Sequence, residues 1–83
     1  MPSKPIHTER HRLFRTLLVQ ARKAQGLTQT DVAARLGKPP SFVAKYELGE
    51  RRLDVLEFLD LAAAIGFDPI EILKALGVAT PSP

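Results

Sequence analysis

An 83-residue chain without cysteine is one domain near the small end of what folds unaided, and it excludes both disulfides and thiolate metal sites. No apolar run approaches the roughly 20 residues that span a bilayer, and the opening "MPSKPIHTERHR" lacks a secretory apolar core, so a soluble cytoplasmic protein is expected. Residues 1–52 carry eleven Lys/Arg against four Asp/Glu, whereas residues 53–83 carry one Lys against five; the basic part suits a polyanion such as nucleic acid, with plain solvation of a helix as the alternative.

Five glycines punctuate the chain: Gly26, Gly37, Gly49, Gly66 and Gly77. Each follows a stretch of helical periodicity, where a left-handed closing residue sits. Helices are predicted over 8–25, 28–36, 40–48, 54–65 and 68–76, forming one domain over 8–77. Residues 1–7 read as a flexible basic arm and 78–83 as a flexible tail. No useful segment alternates with period two, so the expected fold class is all-α.

In helix one, Phe14, Leu17, Leu18, Ala21 and Ala24 recur at spacings of three and four. Helix two opens with Thr28 three before Asp31, an acidic relative of the capping box, and turns Val32, Ala33 and Leu36 to one side. Helix three starts at Pro40, whose missing N–H would have no partner there anyway. Val43 and Tyr46 form its inner side. Helix four has the better box, Asp54 with Glu57, and an apolar row of Val55, Phe58, Leu59, Ala62 and Ile65. Helix five opens with Asp68-Pro69-Ile70-Glu71, combining an N-cap, a first-turn proline and an N3 glutamate. Each helix is too short to stand alone, so tertiary packing must hold it.

Helices two and three are separated by only Gly37, Lys38 and Pro39. A tight glycine turn between two short helices is the signature of a helix-turn-helix. A reading helix needs only its first two turns in the major groove, which accounts for the brevity of 40–48.

The stretch "ARKAQGLTQTDVAARLGKPPSFVAKYELGERR" resembles the helix-turn-helix of the lambda-repressor/Cro-like regulators, the xenobiotic-response-element family. The likeness rests on an arginine, "GLTQ", Val32-Ala33, "LG", and a short helix ending in Glu-x-Gly. It continues through "LDLAAAIGFDPIEIL". It implies a compact five-helix DNA-binding domain, a prokaryotic or phage-like setting and a transcriptional regulator, most simply a repressor. Pro40, Ser41, Ala44 and Lys45 match groove-facing positions, Gln29 a phosphate donor, and Arg22 with Glu47 a structural ion pair. Two departures are Pro39 for the usual polar cap and Leu53 where the family often has proline.

On that reading Lys45 donates to guanine O6 and N7, with a phosphate contact as its alternative. Ser41 donates or accepts, and Ala44 and the Pro40 ring meet a thymine methyl. Thr28, Gln29, Arg35, Lys38, Arg51 and Arg52 are the expected phosphate contacts. One short helix reads little DNA, so a homodimer on a palindromic site is expected. Ile70, Ile72, Leu73 and Leu76 are its candidate interface, against the alternative of a core helix covered by helix one.

The rival function is an antitoxin or adaptor-type module, whose C-terminal apolar helix grips a toxin or other regulator. His7 and His11 are spaced i, i+4, but no third ligand stands out. No phosphate-cradling glycine loop and no nucleophile cluster is present. No enzyme activity, metal or cofactor is expected.

Overall fold

Local capping chemistry sets where each helix starts. The computed structural model describes residues 8–77; the predicted arm 1–7, with His7, and the tail 78–83 lie outside them. Five helices run in order: α1 Glu9–Ala24, α2 Gln29–Leu36, α3 Pro40–Leu48, α4 Val55–Ile65 and α5 Pro69–Ala75. No described residue lies in a strand. The predicted ranges were longer by a residue or so because Thr8, Thr28, Asp54 and Asp68 are caps with extended backbone rather than first helical residues.

The Thr28–Asp31 box is reciprocal: Asp31 N–H donates to Thr28 Oγ1 at 3.0 Å, and Thr28 N–H to Asp31 Oδ2 at 2.9 Å. Those bonds from Thr28 hold the Asp31 carboxyl below its ordinary pKa. At α4, Glu57 N–H donates to Asp54 Oδ1 at 2.7 Å and Asp54 N–H to Glu57 Oε1 at 3.0 Å. Asp68 accepts from Ile70 N–H at 2.9 Å. α3 has no side-chain cap; Pro39 is its N-cap and Pro40 its first residue.

Gly37 and Gly49 both take left-handed backbone, at φ 69° and 83°, and close α2 and α3. At Gly49 a Cβ would also lie 2.8 Å from Arg15 Cζ, but that is the tip of a long side chain able to move aside, so the positive φ is what calls for glycine there.

Leu18, Val32, Val43, Tyr46 and Leu61 are the largest fully buried side chains. Around them α2 packs on α3 and α4, α1 on α3, and α5 on α4. Phe14 meets Phe58 edge-on at 5.5 Å, and Phe58 meets Phe67 at 5.8 Å, which joins α1, α4 and the α4–α5 turn. The inner row of α4 is Phe58, Leu61, Ala62 and Ile65. The predicted members Val55 and Leu59 are exposed instead: Val55 sits at the first helical position, beyond α4's packed turns, and Leu59 at the edge of the stripe. α3 buries Phe42 as well as Val43 and Tyr46. Ala24, predicted on the inner face of α1, is exposed.

Candidate nucleic-acid interface

Burying Phe42, Val43 and Tyr46 turns the opposite side of α3 outward. Pro40, Ser41 and Lys45 are exposed there, and Ala44 is half-buried. Lys45 has no hydrogen bond or ion pair among the described residues, so its ammonium is available to an acceptor. Thr28 is exposed at the front of α2, but its hydroxyl already serves the cap. The four predicted base-reading residues therefore share one helix, its first two turns and a single outward side.

Behind this side lies the Arg22–Glu47 pair. Arg22 Nε donates to Glu47 Oε2 at 2.8 Å, and its Nη2 to Oε1 at 3.1 Å. Arg22 Nη1 donates to the Leu27 carbonyl at 3.0 Å. The two side chains are only 11% and 7% exposed, so the pair is buried. Its hydrogen bond to Glu47 raises the pKa of Arg22 further, against the opposing effect of burial. Gln29, predicted as a phosphate donor, adds a third bond: its Nε2 donates to Glu47 Oε1 at 2.8 Å. Sequence reasoning missed this bridge, although Gln29 and Glu47 were both singled out. The carboxylate thus ties α1, the front of α2 and the end of α3 together.

The predicted phosphate cations divide. Arg52 and Lys38 are exposed; Arg52's side chain has no partner among the described residues, and Lys38 Nζ sits 5.5 Å from the centre of the Phe42 ring. Arg35 is turned away from α3: its Nη1 donates to the Ala64 carbonyl at 2.8 Å, near the C-terminal end of α4. Arg51 is held by Glu57, Nη1 to Oε1 at 2.9 Å and Nη2 to Oε2 at 2.8 Å. The only sequence signal for that pair was opposite charge six residues apart across a loop.

Arg51's two hydrogen bonds, then the Asp54 N–H, bring the Glu57 carboxyl down to about 2. Its folded pKa is below its unfolded one, so this stabilisation is complete above the ordinary carboxylate range. It is lost as pH falls from about 4.5 toward 2. Glu57→Gln is therefore expected to unfold at lower urea than the unaltered chain at pH 6. The gap should close between pH 5 and 2; a gap that stays constant means ionised Glu57 adds nothing.

The predicted dimer surface is only partly free. Ile72 is 8% exposed and belongs to the core, because it faces α4. Ile70 and Leu73 are exposed, at 53% and 37%. Leu73 and half-buried Leu76 line a groove of about 330 Å³ with Phe14, Leu53, Val55 and Phe58. Arg10 Nε closes one end by donating to the Leu76 carbonyl at 3.1 Å. His11 Nδ1 accepts from Arg15 Nη1 at 2.8 Å, and its ring packs edge-on against Phe14. No group of three or more metal-ligating side chains occurs among the described residues, and none of their helices is long and apolar enough to cross a membrane.

A family model described as "Helix-turn-helix" matches residues 18–72. Among solved structures, the chain is similar to an "XRE-family like protein" from Pseudomonas syringae pv. tomato str. DC3000. The two are 51% identical, the match covers 93% of this chain and 94% of that one, and the TM-score is 0.82. No curated protein matches.

Proposed function

The chain belongs to the lambda-repressor/Cro-like helix-turn-helix family of DNA-binding transcriptional regulators, and from that premise we propose that it is a sequence-specific repressor, reading the major groove with α3 as a homodimer on a palindromic site. The observation that carries this reading is the outward side of α3, where Pro40, Ser41 and Lys45 stand exposed above a buried pair that fixes the helix. Lys45 reaches guanine O6 and N7, Ser41 a neighbouring polar edge, and Pro40 with Ala44 a thymine methyl. Thr28, Gln29, Lys38 and Arg52 flank them and contact phosphates. Gln29 keeps a second amide hydrogen for this after bonding Glu47. Half-sites of such a dimer lie about 34–36 Å apart, and Ile70, Leu73 and Leu76 form the seam.

Selection of bound sequences from a random duplex pool tests the proposal. The expected product is a palindrome with guanine at the Lys45 position. Lys45→Ala should lose about 1–3 kcal/mol of discrimination at that base pair and little elsewhere. Enrichment of no sequence sinks the proposal, and a lone half-site removes the dimer.

A second reading is favoured by exposed Val55, Leu56, Ile70 and Leu73: an antitoxin or adaptor that grips a toxin or other regulator through this apolar surface. It prevails where Lys45 and Arg52 are dispensable and Leu73 is not.

A further inference from the structure

Arg51 and Arg52 are adjacent and equal in charge, yet only one of them is free. Arg51 spans from α3 to α4. Its Cζ lies 4.7 Å from the centre of the Phe42 ring, and Phe42 is buried in α3 beside Ser41. Its two terminal nitrogens are taken by the two oxygens of Glu57, and Nη1 also donates to the Arg52 carbonyl at 2.8 Å. Glu57 in turn is the N3 residue of the α4 capping box, so it cannot swing away without uncapping α4. Arg52 has no such anchor.

We propose that Arg51 is a positioning residue: clamped between the Phe42 ring and Glu57, it sets α3 and the Arg52 backbone against DNA without itself touching a phosphate. The assignment rests on the DNA-binding reading above. Its physical ground is that a bidentate Arg–carboxylate pair is already neutral and already has its fork occupied. A phosphate approaching Arg51 would have to displace Glu57 and would be repelled by that carboxylate. Arg51 therefore displaces no counterions from the duplex, whereas Arg52 does. Lysine would not serve, because it supplies neither the paired donors nor the flat face over Phe42.

The test compares the full chain with Arg51→Ala, Arg51→Lys and Glu57→Gln. Each is titrated with the pool-selected duplex and with a 30-base-pair duplex of random sequence, across a series of salt concentrations and well below each melting midpoint. Glu57→Gln keeps the cap, since glutamine also serves at N3. Arg51→Ala and Arg51→Lys are expected to bind the selected duplex about threefold to tenfold more weakly, and Glu57→Gln, which frees the Arg51 fork, to bind the random duplex more tightly than either. The salt slope of Arg51→Ala and Arg51→Lys should stay unchanged, and so should the affinity of the charge-conserving Arg51→Lys for the random duplex. A residue that only stabilises the fold would lower melting and leave both affinities of the folded protein alone.

Two results overturn the assignment. One is a salt slope that Arg51→Ala reduces by about 0.9 per protomer. The other is an Arg51→Lys protein that binds the selected duplex as tightly as the unaltered chain, since lysine keeps the charge but supplies neither the paired donors nor the flat face over Phe42. Where Arg51→Ala fails to fold, the other two variants decide. An unaltered chain that binds neither duplex withdraws the DNA reading and this assignment with it, a result distinct from the other two.

Discussion

Glu47→Ala is expected to lower the melting temperature by on the order of 20 °C, the largest effect of any single polar substitution in this chain. The two side chains of the Arg22–Glu47 pair are 11% and 7% exposed. Removing one partner from a buried pair leaves an uncompensated charge, which costs about 3–5 kcal/mol. Here the alanine orphans two groups: Arg22 loses two hydrogen bonds and Gln29 one. Specific DNA binding should fall as well, because the same carboxylate joins the end of α3 to α1 and to the front of α2.

The double change Arg22→Met with Glu47→Leu separates the two consequences. Apolar side chains of similar volume often replace a buried pair with little loss of stability. Melting should therefore recover substantially, whereas affinity for the selected duplex should not, since Gln29 still lacks its acceptor. Thermal unfolding and a binding titration on the same samples check this. A Glu47→Ala protein that melts with the unaltered chain removes the structural role of the pair.

Affinity for the selected duplex is expected to fall about a hundredfold when salt rises from about 50 to 200 mM. The estimate takes Lys38 and Arg52 from each of two protomers as the phosphate cations, at a slope of about 0.9 per contact. Had Arg35 and Arg51 also reached phosphates, the same change would cost about ten-thousandfold. The sharper check is the difference between variants. Arg52→Ala should reduce the slope by about 2 for a dimer, and Arg35→Ala should leave it where it is. Arg35 spends its guanidinium on the Ala64 carbonyl, on α4 rather than on the outward side of α3. A slope that Arg35→Ala reduces as much as Arg52→Ala does would overturn this division of the cations.

These two predictions draw on different layers of the molecule. The helices were legible from residues alone because their boundary signals are local. Thr28 and Asp31, or Asp54 and Glu57, are three residues apart and bond each other within one turn. Gly37 and Gly49 relieve a strain that belongs to their own backbone. The outward side of α3 was legible too, since Val43 and Tyr46 are the inner residues of a helix only nine residues long.

The inner row of α4 is less legible. Periodicity marks an apolar stripe but not its edges, and which of Val55, Leu59 and Leu61 is covered depends on where α2 and α5 lie. Ile72 met the same limit: the apolar circumference of α5 was visible, but the side facing α4 was not. Leu61 and Ile72 entered the core, and Val55 and Ile70 stayed in solvent.

By itself, then, the chain's order of residues determined five helices, four of them opened by side-chain caps and α3 by prolines, the glycine turn between α2 and α3, and a basic N-terminal portion. Only the tertiary structure decided which cations remain free to meet DNA. Arg22, Arg35 and Arg51 find their acceptors 25, 29 and 6 residues away, across helix packings that no local pattern encodes. A guanidinium has the same charge whether or not its fork is filled. Its availability is a property of the neighbours that packing brings to it, and among the described residues that leaves Lys38, Lys45 and Arg52 as the cations beside α3 without a side-chain hydrogen bond or ion pair.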